Sequence, residues 1–434
     1  MNYPVWDVAL TGGGLLIALV AIIHVFVSHF SVGGGLFLVL TERKGYRDND
    51  PRVVDYVKTH TKFFLLLTVV FGAVTGVGIW LTISAIHPGA TSLMIHTFVF
   101  AWASEWVFFL VEIVSIFVYY YTFGRMNRRD HLRVGWIYFW AAWLSMVLIG
   151  AIVAFMLSPG DWPRDHSFWS GFFNPSFIPS LVFRSALALI LAGVYGLITS
   201  TRLADPEFRQ KMVRYCSLWL VAPFAVLLPA AWWYLQAIPA GAREMILGRN
   251  LDITGFVQTF AWLTPVLVIA GLLMMARLPK RLQQGLTVFI VAAALVYMGA
   301  FEYMRETGRR PWVVYGVMYS DGLTPAGMQK ARQEGLMTSA RWLAHRKPSA
   351  DQALVAGREL FRLACVSCHS LGGPRNDVLQ LSQGMHAGAL VRLMRDMGKG
   401  NLAQMPPFPG TRRESWLVAR YLVALREGRR SGAF

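Results

Sequence analysis

Residues 134–157 read VGWIYFWAAWLSMVLIGAIVAFML, with no Asp, Glu, Lys, Arg or His among them. A run like this has no polar face to offer water. It is long enough to cross a bilayer, which takes roughly 20 apolar residues in a helix. In hydrocarbon the backbone must satisfy its own hydrogen bonds, so the run reads as an α-helix. Working outward, similar runs recur near 14–40, 63–86, 96–121, 177–200, 217–237, 258–276 and 285–304, making eight with the first. The over-long opening run carries Gly12 to Gly14 and Gly33 to Gly35, which predict bent or loosened ends.

The composition agrees with this pattern. Of 434 residues, 55% are hydrophobic and only 15% charged, and the mean hydropathy is +0.45. A water-soluble chain needs more polar surface than that, so lipid is the expected solvent. The predicted fold is all-α: a polytopic transmembrane bundle (residues 1–312), a linker (313–350) and a small helical domain (351–434). No cleavable signal peptide is visible, because the first apolar run is too long and lacks a basic start. It is expected to remain as a span.

A net charge of +17 raises the question of nucleic acid, and its placement argues against it. Loops after spans 1, 3, 5 and 7 hold clusters such as Arg43, Lys44, Arg47 and Arg125, Arg128, Arg129. Loops after spans 2, 4 and 6 hold only Arg164, Arg243 and Arg249. By the positive-inside rule the odd-numbered exits face the cytoplasm. Eight spans then put both termini outside, in the periplasm of a bacterium, with the chain in its inner membrane.

The chain has three cysteines, Cys216, Cys365 and Cys368, too few for a disulfide framework. Cys216 reads as a small apolar residue. The other two lie in Cys365-Val366-Ser367-Cys368-His369, the Cys-x-x-Cys-His attachment pattern for heme c. Two thiols one turn apart reach the heme vinyls, and the adjoining His supplies the proximal iron ligand. Met405-Pro406-Pro407 offers a thioether on a stiff loop as sixth ligand. A zinc or dithiol site is the alternative, but zinc needs further ligands and His386 is a poor complement. Residues 351–434 resemble a class I monoheme cytochrome c. Their 12 Arg/Lys against 6 Asp/Glu give a basic surface, which suits an acidic electron-transfer partner or anionic lipid.

Ionisable groups inside spans are costly, so each is a candidate site. Span 1 carries His24 and His29, and span 3 carries His96, Glu105 and Glu112. Span 8 carries Glu302 and Glu306, followed by Arg309. Glu105 and Glu112, seven apart, share a helix face. By span direction His24, Glu105 and Glu306 can meet toward the outer surface. A buried imidazole with carboxylates and an arginine suits heme ligation and propionate pairing. His29 faces another direction; it is read either as ligand to a second heme or as a partner of a backbone carbonyl or propionate. His60, His87, His131 and His166 read as solvated boundary residues.

Several stretches together resemble subunit I of cytochrome bd quinol oxidases over roughly residues 15–320. They are His24 followed by Gly33, Gly72-Ala73-Val74-Thr75-Gly76, Phe108-Phe109-Leu110 leading to Glu112 and Arg125, and Glu306-Thr307-Gly308-Arg309-Arg310-Pro311-Trp312. The resemblance implies that His24 ligates a heme iron and that Glu105 and Glu306 belong to a paired-heme centre. It places Glu112 on a proton route and pairs Arg309 with propionates. It implies two or more non-covalent hemes of b or d type beside the one heme c, and an additional membrane subunit.

The sequence also departs from that family. After Asn174-Pro175, the position of the low-spin heme's His falls on Phe183 or Arg184. The Met partner in span 7 is missing from Thr264-Pro265-Val266-Leu267-Val268. The quinol-binding loop shrinks to residues near 238–257. Heme–copper oxidases and bc-type cytochromes fit worse, for lack of their core histidines.

The expected function is therefore a respiratory heme oxidoreductase. It would take electrons from a periplasmic protein through heme c and reduce a small molecule such as O2 or NO. The competing reading is an electron-transfer subunit linking membrane quinone to periplasmic acceptors, with every iron fully ligated and no gas chemistry. A purely structural or sensory heme anchor ranks below both.

Overall fold

The computed structural model describes residues 3–249 and 251–430. Both chain ends, on which the expected outside placement of the termini falls, lie outside the described residues. Eight helices are long and apolar enough to cross a membrane: α1 (Gly13–Arg47), α2 (Pro51–Ile86), α3 (Val99–Tyr121), α4 (Arg128–Leu157), α5 (Phe177–Ser200), α6 (Pro206–Ala237), α7 (Ile253–Met274) and α8 (Lys280–Gly308). Each corresponds to one apolar run of the sequence.

Helix starts follow local chemistry. Asp50, Asn127 and Asp205 cap α2, α4 and α6, accepting from the N–H groups of Arg52, Asp130 and Glu207. Such caps satisfy donors that the first turn leaves orphaned. Pro51 and Pro206 follow two of these caps, where a missing N–H costs nothing. In α2 a π-helical stretch, Leu66–Phe71, interrupts the regular ladder.

Two expectations change. The glycines of α1 do not loosen it, since the helix runs unbroken from Gly13 to Arg47. Gly33 instead permits close packing: a Cβ there would lie 1.9 Å from the Ala188 carbonyl oxygen of α5. His96 is not in the third span. It ends a separate short helix, Pro88–Thr97, and is exposed, its Nδ1 bonded to the Ser92 carbonyl at 2.7 Å.

The chain divides into two compact units. The first, Ala21–Val77 with Thr97–Gly308, is a helix bundle. Its most enclosed member is α5, with 78% of the apolar window buried, against 6% for α2. That contrast makes α5 the core helix and leaves α2 to face lipid or another subunit. Phe30, Phe37, Phe64, Phe155 and Phe183 are fully enclosed, and Phe30 stacks on Tyr195 with centroids 4.0 Å apart.

The second unit comprises residues up to Val20, Gly78–His96 and the chain from Arg309 onward. A two-stranded hairpin pairs Trp312–Val314 with Met318–Tyr319. The helices that follow include α9 (Ala353–Ala364), α10 (Ala387–Asp396) and α11 (Arg412–Arg430). The stretch expected as a linker is folded. It holds helix Pro325–Glu334 and supplies Leu336, Met337, Ala340 and Leu343 to the core around Phe361 and Val418. Buried Glu414 fastens it, accepting the N–H groups of Met337 at 2.6 Å and Leu336 at 3.1 Å. The N-terminal segment is stitched in as well. Leu371 N–H donates to Ala9 O at 2.7 Å, Gly13 N–H to Val366 O at 2.8 Å, and Arg358 pairs with Asp7 at 2.9 Å.

Candidate functional site

In the bundle, His24 projects from α1 beside Thr75 of α2, with Nδ1 3.1 Å from the Thr75 hydroxyl oxygen. That hydroxyl spends its own hydrogen on the carbonyls of Phe71 or Gly72. Nδ1–H is therefore the donor, and Nε2 keeps its lone pair. An imidazole held this way is a ready axial ligand, its tautomer fixed by the second bond. Gly76 makes room for it, since a Cβ there would sit 3.2 Å from His24 Cε1. The Thr75-Gly76 pair singled out in the sequence thus seats the ring.

Glu105 and Glu112 lie on α3, as the spacing required. Between them stands Ser145 of α4, a residue the sequence reading missed. Its hydroxyl donates to Glu105 at 3.1 Å, and Glu112 faces both Ser145 and Ser31. Ser31 in turn lies 2.6 Å from the Tyr138 hydroxyl. Carboxylates alternating with hydroxyls form a line along which a proton can hop.

His29 is engaged elsewhere. Its Nδ1–H donates to the Val25 carbonyl at 2.9 Å, and Nε2 accepts from Arg184 at 3.3 Å. A bond to a backbone carbonyl, one of the readings of this residue, is thus present, and Nε2 faces Arg184. Arg184 also pairs with Glu302 at 2.9 Å, and Glu302 with Arg305 at 2.9 Å. Phe301 lies 5.4 Å beneath the Arg184 guanidinium. Glu306 lies within electrostatic reach of Arg305. Among the described residues no three His, Cys, Asp or Glu side chains gather around one metal position. His24, Glu105 and Glu306 thus belong to no cluster of three such side chains. Arg309, just past α8, is buried.

His60 and His131 are not solvated as expected; both are enclosed. The helices that carry them extend well beyond their apolar runs, and the added turns pack inward. His60 Nδ1 meets the Thr199 hydroxyl at 2.8 Å. His131 bonds Glu42 at 2.6 Å, and Glu42 also accepts from Tyr119 at 2.6 Å and Tyr46 at 2.7 Å. Glu42 gave no signal in the sequence because it lies just past the apolar run 14–40.

In the other unit, Cys365, Val366, Ser367, Cys368 and His369 follow α9 directly. Cys368 and His369 N–H groups both donate to the Cys365 carbonyl, at 3.1 and 2.9 Å. This turn keeps both free thiols and the imidazole on one local element. His369 Nδ1–H donates to the Asn376 carbonyl at 3.2 Å, leaving Nε2 as a lone-pair donor. Burial holds this imidazole below the usual His range, against the Asn376 bond, which favours the neutral, metal-binding form. The donor set fits heme c, whereas a zinc site lacks its further ligands among the described residues. Met405 sits between the turn Gly400–Leu402 and Pro406-Pro407.

Comparison with known proteins adds the family. The profile of one family, cytochrome bd terminal oxidase subunit I, matches residues 15–237. The fold is similar to the structure of bd oxidase from Geobacillus thermodenitrificans, with a TM-score of 0.61 and 16% identity. That match covers 70% of this chain and 88% of the other. No curated protein matches the chain.

Proposed function

The chain belongs to the cytochrome bd terminal oxidase subunit I family, and from that premise we propose that it is a cytochrome c-linked respiratory reductase of a small molecule such as O2 or NO. It is a multi-pass membrane oxidoreductase, and its family binds hemes of b or d type. The proposal adds one heme c on Cys365 and Cys368, ligated by His369 and Met405, in a periplasmic domain. It also adds a periplasmic donor protein and a second membrane subunit.

When bound, the membrane hemes supply electrons and an iron position for the gas. The chain's own residues do the rest. His24 would hold a heme iron through Nε2, with Thr75 holding its tautomer. Glu105 and Glu306 are the carboxylates assigned to the heme centre, and Arg309 is the cation assigned to propionates. Protons move along Glu112, Ser145 and Glu105.

The observation that carries this reading is His24, whose Nε2 keeps its lone pair in the same unit as the carboxylate–hydroxyl line. The competing reading, electron transfer with His29 closing an iron, is disfavoured because Arg184 already occupies His29 Nε2. Carbon monoxide distinguishes the two. Added to the reduced protein, it is expected to shift a non-c heme band. Unshifted bands of six-coordinate heme would reject gas chemistry and favour the electron-transfer reading.

A further inference from the structure

Beside the Cys-x-x-Cys-His turn, and within the same unit, lies a cavity of about 50 Å³ that the proposed function does not use. Its walls come from five places, one of them the N-terminal segment with Tyr3 and Val5. Ser320 and Asp321 follow the hairpin, Arg362 belongs to α9, Ser367 lies inside the attachment motif, and His87 precedes helix Pro88–Thr97. A space of this size holds a water molecule or two.

Asp321 stands out among these groups. It is 5% exposed, and its Oδ1 accepts the Leu323 N–H at 3.0 Å. Its Oδ2 is buried and meets no donor among the described residues. Buried carboxylates normally have every oxygen satisfied, so an unpartnered oxygen on a residue that lines a small cavity of mixed polarity marks a place for a proton. Arg362 Nε, on another wall, is likewise without a partner. Cys365 lies within electrostatic reach of Asp321.

We propose that Asp321 is a redox-linked proton site. It holds a proton while the heme on Cys365 and Cys368 is reduced, and releases it to the cavity when that heme is oxidised. The inference rests on the heme c reading above. The balance is one electron to the membrane hemes, or to an electrode in the test, and one proton from the Asp321 carboxyl to water. Removing an electron from the iron adds a positive charge nearby, which favours the carboxylate. A positive charge added near a buried carboxyl moves its midpoint down. Burial, opposed by the Leu323 N–H, already pushes the Asp321 carboxyl up to about 7, so such a change straddles neutral pH.

Other ionisable groups stand near it or line the cavity. Tyr319 is raised from its usual value by burial and by Asp321 itself, and the Cys365 thiol, itself raised, becomes a thioether. His87 and Tyr3 also line the cavity, and the Asn substitution below separates their contribution from that of Asp321.

The test is a spectroelectrochemical titration of heme c in the intact protein at several pH values, for wild type and Asp321→Asn. In the wild type the midpoint potential is expected to fall as pH rises through neutrality. In Asp321→Asn it is expected to be flat over that window. A slope that persists in Asp321→Asn, or a flat wild-type curve with heme attached, overturns the inference. Redox-difference infrared spectra of the wild type give a second readout that needs no variant. They should show a protonated carboxyl lost on oxidation, and its absence counts against Asp321. Failure of the underlying reading looks different: no heme remains attached after denaturation.

Discussion

At the residue scale, the most informative group is Arg184. It lies within α5, the most enclosed helix, where an uncompensated charge could not persist. Glu302 compensates it, Arg305 adds a second cation, and His29 accepts a hydrogen bond. Removing one member of a buried ion cluster leaves its partners uncompensated, which costs about 3–5 kcal/mol. Glu302→Gln should therefore lower the thermal stability of the detergent-solubilised protein markedly. A joint change of Arg184 and Glu302 to Leu should cost much less. Equal unfolding midpoints for Glu302→Gln and wild type would contradict this account. The sequence flagged Glu302 because ionisable groups in spans are rare, and Arg305 could have been found from its i,i+3 spacing. Arg184 could not be paired with it, because nothing local in the chain links α5 to α8. The same reason hid Ser145 between Glu105 and Glu112, and the Glu42–His131 bond.

At the element scale, hydropathy gave the number of spans and little about how they pack. Residues 134–157 declare a helix on their own, whereas the role of Gly33 to Gly35 depends on what lies opposite. A glycine in a helix can mark a bend or a contact, and only the partner helix decides. At Gly33 the partner is the Ala188 backbone, which has no side chain to move aside. Gly150 of α4 is the contrasting case, with nothing within 4 Å of where a Cβ would stand. Gly33→Ala should destabilise the bundle by about 1–3 kcal/mol through overpacking. Gly150→Ala should be neutral or stabilise α4 by about 0.5–1 kcal/mol, as Ala replaces Gly within a helix. Thermal unfolding of the two variants side by side checks both. Similar midpoints would mean that α1 and α5 do not approach as described.

At the scale of the whole molecule, the chain joins two kinds of chemistry. Its bundle belongs to the cytochrome bd terminal oxidase subunit I family, and the unit containing Cys365 and Cys368 carries a motif that hydropathy alone would pass over. The short connection between α6 and α7, together with Arg184 after Asn174-Pro175, argues for electron entry from elsewhere, and the cysteine motif is the candidate. If so, the two tasks must separate on mutation. Cys365→Ser with Cys368→Ser should yield protein without covalent heme that no longer oxidises a reduced acidic cytochrome c. The same variant should still bind carbon monoxide at a non-c heme once reduced by a small diffusible mediator, since His24 and Thr75 are untouched. In the wild type, donor oxidation should slow as ionic strength rises, because the 12 Arg/Lys against 6 Asp/Glu of residues 351–434 attract an acidic donor at long range. Undiminished donor oxidation in the double variant would place the entry point in the bundle itself. The basic surface would then be left to serve lipid headgroups instead of a protein.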